Sequence, residues 1–114
     1  MTEGPGRWVP KDAFVMPLLP TSLKIDPVVA SLVHCVAFLE LSGDDAVDPD
    51  WAVEAMEHVG AYLQRMSADQ AEDVARQLGA IATNARLQKA PPEFVEFLER
   101  FLENFGVGGE TAEE

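Results

Sequence analysis

The sequence is poor in cysteine, in basic residues and in long apolar runs, and each shortage argues against a class of protein. Its 114 residues include a single cysteine, Cys35, so no disulfide can form within the chain. Such a composition fits a reducing compartment. The 8 lysines and arginines stand against 20 aspartates and glutamates, for a formal net charge of -12. This field repels phosphate backbones and anionic lipid headgroups, so we expect neither nucleic-acid binding nor membrane association.

No apolar stretch of the sequence is long enough to cross a membrane. The longest, residues 28–41, is interrupted by Ser31, His34 and Glu40, whereas a membrane helix needs about 20 apolar residues. The opening MTEGPGRWVPKDAF has no apolar segment of the kind a signal peptide carries. We therefore predict a cytoplasmic protein. Its hydrophobic share of 47% is enough for one compact domain with a core.

The sequence also lacks the motifs of the common catalytic and cofactor sites. It has no H-E-x-x-H, P-loop, G-x-G-x-x-G or G-x-S-x-G pattern. The aspartates of SGDDAVDPD fit an EF-hand loop in no register, and counting from Asp44 places Pro49 where the loop needs glycine. The glutamates near the carboxyl end lack the Glu-x-x-His pairs of a diiron bundle. We expect no metal, no cofactor and no catalytic residue, and hence no enzyme.

What the sequence does contain is the periodicity and the start signals of four helices. Asp26-Pro27 and Asp48-Pro49 each place a capping carboxylate before a proline suited to the first helical position. Ser67 and Gln70 have the spacing of a capping box, and apolar residues recur at helical spacing after each start. The sequence predicts an all-α fold, a compact four-helix domain with helices at about residues 27–41, 49–65, 68–87 and 92–105.

The first 24 residues differ from the rest of the chain. Their prolines exclude a long helix, yet Trp8, Phe14 and Leu18 are among several apolar residues that need a surface to pack on. We predict a Pro-rich, extended arm that lies either on its own domain or on a neighbouring subunit. The predicted organisation is an arm at residues 1–24, a helical domain at residues 25–106 and a flexible acidic tail at residues 107–114.

The first predicted helix is apolar on all sides, which indicates a buried, central helix. His34 and Cys35 lie within it, so we expect Cys35 to be a small core residue. Adjacent residues of a helix point about 100° apart and cannot readily hold one metal together. A buried pocket at His34 and Cys35, serving a small ligand or a reaction, is one alternative function.

The second predicted helix has a mixed polar and aromatic border, preceded by more aspartates than one helix cap requires. Its members recur about once per turn along one edge of the apolar arc, and tryptophan and tyrosine are enriched in binding hot spots. The alternative is that this edge packs against the arm. The predicted partner-binding residues are Asp44, Asp45, Asp50, Trp51, Glu54, His58 and Tyr62.

Small size, acidity and missing catalytic motifs favour a non-catalytic protein–protein interaction protein. We expect a basic protein partner, attracted by the aspartates and anchored by aromatic side chains, as for an inhibitor or immunity-type protein that covers a toxin or enzyme. The remaining alternative is a subunit of a helical homo-oligomer or larger assembly. A homodimer would form through the arm or through the Phe-rich face of the fourth helix.

Overall fold

The computed structural model describes residues 12–107, and the regular secondary structure of that range is entirely helical. The predicted all-α class is therefore confirmed. No helix within residues 12–107 has the length and apolar character needed to span a membrane. A 3-10 turn, Thr21–Leu23, precedes the helices α1 (Pro27–Leu41), α2 (Pro49–Leu63), α3 (Ala68–Leu87), α4 (Pro92–Glu99) and α5 (Phe101–Asn104).

Each of the first three helices begins where its cap predicts. The side chains of Asp26 and Asp48 accept hydrogen bonds from the backbone N–H two residues later, at 2.7 and 2.9 Å. Ser67 and Gln70 make both hydrogen bonds of a capping box, at 3.1 and 2.9 Å. These bonds satisfy backbone donors that have no partner inside the helix, so short-range chemistry sets the three starting points.

The helix α2 ends at Leu63, two residues before the predicted end at residue 65. Beyond it, the backbone N–H groups of Arg65 and Met66 donate to carbonyl groups three residues earlier, at 3.0 and 3.1 Å. Hydrogen bonds of this tighter kind commonly close the last turn of a helix. The predicted and observed ends of α2 therefore differ because residues 64–66 form a tighter turn instead of α-helix.

The predicted fourth helix, residues 92–105, is divided at Arg100, whose backbone angles are φ -108° and ψ 9°. Phe101, the residue after Arg100, packs its ring edge-on against two others. The ring of Phe97, before the break, has its centroid 5.5 Å away, and that of Phe105, after the break, has its centroid 5.2 Å away. The apolar spacing runs through Arg100 without a gap. The apolar pattern therefore does not reveal the break, which lies beside these packed rings.

The helix α1 packs against both α2 and α4, and α3 packs mainly against α4. This arrangement agrees with a central first helix, but the prediction that α1 is buried on all sides is wrong. Val28, His34 and Cys35 are exposed, because α2 and α4 cover only part of its circumference. The buried residues of α1 are Val29, Val33, Val36 and Ala37.

Residues 12–20 form an extended segment that lies on the chain's own helices. The backbone N–H of Phe14 donates to the hydroxyl of Ser42 at 2.8 Å, and the Phe14 ring lies 5.3 Å from that of Phe94. Met16 is buried in the core. The described part of the predicted arm thus packs on its own domain, while residues 1–11 of the arm and residues 108–114 of the predicted tail lie outside the described residues.

The core lies where α1, α3 and α4 meet beneath this segment. Phe101, Ile81, Leu98, Val33 and Val36 are the largest side chains that are almost completely buried. One side-chain contact also joins distant helices: the Gln77 side-chain oxygen on α3 accepts the backbone N–H of Asp26 at 2.7 Å. The start of α1 is thereby fixed to α3.

Candidate functional site

The loop between α1 and α2 carries the first predicted partner-binding residues. Its backbone closes on itself, because the N–H groups of Ala46 and Val47 both donate to the carbonyl of Gly43, at 3.0 and 3.1 Å. Asp44 and Asp45 are exposed on this turn. Within residues 12–107, no group of three or more His, Cys, Asp or Glu side chains is placed to hold a metal ion.

The next two aspartates stand at the start of α2, Asp48 as its N-cap and Asp50 in its first turn. The Asp48 carboxylate is occupied by its cap hydrogen bond, whereas Asp50 is exposed. A negative charge in the first turn is stabilised by the helix dipole, so Asp50 has a structural use in addition to the predicted one. Asp44, Asp45 and Asp50, which we call the aspartate corner, all present their charge to solvent.

The outer face of α2 presents Trp51, Glu54, His58 and Tyr62, which we call the α2 stripe. Trp51 is 72% exposed and Tyr62 is 66% exposed. Between them, the Nε2 atom of His58 lies 3.4 Å from a carboxylate oxygen of Glu54, and both side chains are mostly in solvent. The structure therefore places all seven predicted residues on the surface, with Glu54 and His58 in direct contact.

Sequence reasoning missed Arg65, which follows the stripe. Its guanidinium carbon lies 4.9 Å from the centroid of the Tyr62 ring, within the range of a cation–π interaction. The spacing of three residues between Tyr62 and Arg65 could have indicated the contact. One end of the stripe therefore borders the negative aspartate corner, and the other end carries a positive charge.

The alternative that the arm covers this edge of α2 is wrong for the part of the arm that the structure describes. Residues 14–20 instead run beside the carboxyl-terminal half of α3 and the α3–α4 connection. Between them lies a cleft of about 650 Å³, which we call the arm cleft. It is lined mainly by Phe14, Met16, Leu18, Ile81, Asn84 and Phe94.

The expectation that Cys35 is a core residue is also wrong. Its thiol is exposed, as is the neighbouring His34. Both residues lie on the part of α1 that the other helices leave uncovered. Because both residues are exposed, they do not form the buried pocket that this alternative function requires.

A second cavity, an open groove of about 490 Å³, runs between α1, α2 and the α4–α5 segment. We call it the acidic groove. No single helix forms it, so the periodicity of one segment could not reveal it. Its principal lining residues are Val36, Glu40, Met56, Glu57, Phe97 and Phe101.

Comparisons of the chain with models of known families, with curated proteins and with solved structures gave no match.

Proposed function

We propose that this protein is a small, acidic, non-catalytic binding protein of the cytoplasm. Its partner is a protein with a basic surface, which it covers in the manner of an inhibitor or immunity-type protein. The binding surface consists of the α2 stripe and the aspartate corner. The stripe supplies the anchoring side chains, and the corner supplies the charge that attracts the partner.

The observation that carries this proposal is the exposure of two large aromatic side chains on one helix face. Trp51 and Tyr62 each keep about two thirds or more of their surface in solvent. Tryptophan and tyrosine are the side chains most often found at the energetic centre of protein interfaces. Their position on a rigid helix also limits the conformational entropy lost on binding.

The charge distribution supports a basic partner. A formal net charge of -12 raises the rate at which a positively charged protein meets this one. The aspartate corner directs that attraction toward the start of α2, beside Trp51. Arg65, at the far end of the α2 stripe, would repel a partner whose whole binding surface is positively charged. We therefore expect the partner's basic patch to lie against the aspartate corner.

The test begins with capture of a partner from the native host on the full chain, followed by purification of both proteins. Changing Asp44, Asp45 and Asp50 together to Asn should slow association about three- to tenfold at low ionic strength and have little effect at high salt. Changing Trp51 and Tyr62 to Ala should instead speed dissociation, by about tenfold or more. Stopped-flow or surface-plasmon kinetics separate the two effects.

The matched control removes three carboxylates from other helices, with Asp69→Asn, Glu72→Gln and Glu103→Gln. All three side chains are exposed and none belongs to α2. This variant should slow association less than the corner variant does. Equal slowing by both variants, together with unchanged dissociation of the Trp51→Ala/Tyr62→Ala variant, would refute the proposed surface.

A second candidate function, a homodimer formed through the arm, is favoured by a separate observation. Leu18 is 98% exposed at the rim of the arm cleft, and none of the described residues that line this cleft is ionisable. Two acidic copies could meet there without opposing like charges. A homodimer formed through the predicted fourth helix has less support, because Phe94, Phe97 and Phe101 are buried within the chain itself.

The homodimer is tested by measuring the mass in solution over a range of concentrations. If the cleft is the interface, Leu18→Asp should convert a dimer to a monomer. Val28→Asp is the matched control, since Val28 is also an exposed apolar side chain but lies on α1. A protein that is monomeric at every concentration before mutation would exclude this candidate.

A further inference from the structure

The acidic groove is a second surface that the α2 stripe does not include. Its floor is apolar and already well packed, with Val36 and Phe101 each 1% exposed. Val53, which is 53% exposed, stands at its margin on α2. We propose that the acidic groove binds a basic amphipathic helix belonging to a protein partner.

The walls of the groove are held at a fixed separation by contacts at one end. The Gln64 side-chain amide on α2 donates a hydrogen bond to the backbone carbonyl of Phe105 at 2.7 Å. Gly60 allows the close approach of the two segments, because a Cβ there would lie 3.1 Å from the Phe105 ring. A groove that keeps its shape without a ligand binds with less loss of conformational entropy.

Charge selects the kind of partner that the groove accepts. Glu40 and Glu57 line it, and an adjoining hollow of about 290 Å³ shares Glu40 and adds Glu93 and Glu96. Among the described residues, Arg100 is the one basic residue lining either cavity, and it lies within 4 Å of the carboxylates of both Glu96 and Glu103. Lysine and arginine side chains would complement this margin, whereas an acidic segment would be repelled.

A helix is the form of partner that fits best. The described residues form no strand, so they offer no sheet edge to which an extended peptide could add. An apolar channel between helices instead matches the helix-in-groove mode, in which side chains spaced three and four residues apart occupy the channel. The inference goes beyond the proposed function, since it requires neither Trp51 nor Tyr62.

The experiment uses a synthetic probe, a fluorescein-labelled amphipathic peptide of about 16 residues built from Leu, Ala and Lys. The measurement is fluorescence anisotropy with the full chain at 150 mM salt. An isomeric peptide with the same composition, but with its leucines spread around the helix, controls for non-specific attraction by a protein of this charge. We expect binding at least about tenfold tighter for the amphipathic peptide. Equal binding of the two peptides would overturn the proposal.

Substitutions at the margin then locate the binding. Val53→Arg places a bulky cation in the groove and should weaken peptide binding about tenfold or more. Val28→Arg makes the same chemical change at an exposed site on α1 and should leave binding within about twofold of the original. Glu40→Gln with Glu57→Gln should weaken binding about three- to tenfold, and by more than Glu72→Gln on α3. Indistinguishable effects of Val53→Arg and Val28→Arg would overturn the assignment to this groove.

Two further variants separate the rival explanations. Trp51→Ala/Tyr62→Ala should leave peptide binding unchanged, so that failure of the proposed function and failure of the groove can be told apart. Arg7→Glu/Lys11→Glu tests whether the chain's own basic residues occupy the acidic groove. These residues come just before Asp12, which contacts the loop that follows Glu40 and Leu41. Peptide binding that strengthens about tenfold in this variant would overturn the proposed partner in favour of the chain itself.

Discussion

The backbone carbonyl of Asp12 accepts a hydrogen bond from the backbone N–H of Gly43 at 2.8 Å, which ties the extended segment to the loop between α1 and α2. A Cβ at position 43 would lie 2.9 Å from the Asp12 Cβ, closer than such atoms can approach. We expect Gly43→Ala to lower the free energy of unfolding by about 1–3 kcal/mol, because the segment must shift. Urea denaturation measures this change.

The matched control for Gly43→Ala is Gly79→Ala within α3. A Cβ at Gly79 would meet nothing within 4 Å, and alanine favours a helix by about 0.8–1.0 kcal/mol over glycine. Gly79→Ala should therefore raise the free energy of unfolding. A Gly43→Ala variant that is as stable as Gly79→Ala would show that the extended segment tolerates a methyl group at the loop.

The capping box at the start of α3 gives a second prediction. Ser67→Ala removes the hydroxyl that accepts the backbone N–H of Gln70, and we expect a loss of about 1 kcal/mol. Ser31→Ala is the control, since Ser31 is exposed in the interior of α1, where alanine is the better helix former. Thermal unfolding of the two variants should move in opposite directions, and parallel shifts would contradict the capping role.

The packing between α3 and α4 gives a third prediction. Leu98 on α4 is 2% exposed, whereas Leu87 at the end of α3 is 74% exposed. Leu98→Ala leaves a cavity and should lower the free energy of unfolding by about 2–5 kcal/mol, a large part of the stability of a small domain. Leu87→Ala should change it by less than about 0.5 kcal/mol. Urea denaturation measures both changes. If Leu87→Ala lowered the free energy of unfolding as much as Leu98→Ala does, the Leu87 side chain would have to be buried in solution.

The exposed thiol of Cys35 gives a fourth prediction. Because the sulfur is open to solvent, the folded protein should react with a disulfide reagent at a rate within about threefold of that of the urea-unfolded chain. Stopped-flow absorbance measures both rates, with Cys35→Ser as the blank. A reaction about tenfold or more slower in the folded state would contradict the exposed position of this residue on α1.

The helix starts could be predicted because they depend on residues that are neighbours in sequence. Asp26, Asp48 and Ser67 each bond to a backbone group two or three residues later, so the signal lies within one turn of helix. The division at Arg100 and the exposure of Cys35 could not be predicted. The exposure of Cys35 depends on which side of α1 the other helices cover, and the division at Arg100 interrupts an apolar pattern that continues through it, so the pattern of a single segment contains neither.

The same distinction applies to the candidate sites. The α2 stripe follows from the helical spacing of Trp51 and Tyr62, and only their degree of exposure required the structure. The acidic groove has walls from three parts of the chain, with Glu40 on α1 and Glu57 on α2. The helical pattern of one segment does not show which other segments pack beside it, so the groove could be found only from the packing.

Phe14 connects two places that are remote along the chain, the hydroxyl of Ser42 and the ring of Phe94. Both contacts join Phe14 to residues far away along the chain, so each forms at a cost in loop-closure entropy. We therefore expect the extended segment to open locally before the helical core does. In native-state hydrogen exchange, the Phe14 amide should exchange earlier than the amides of Val33 and Val36.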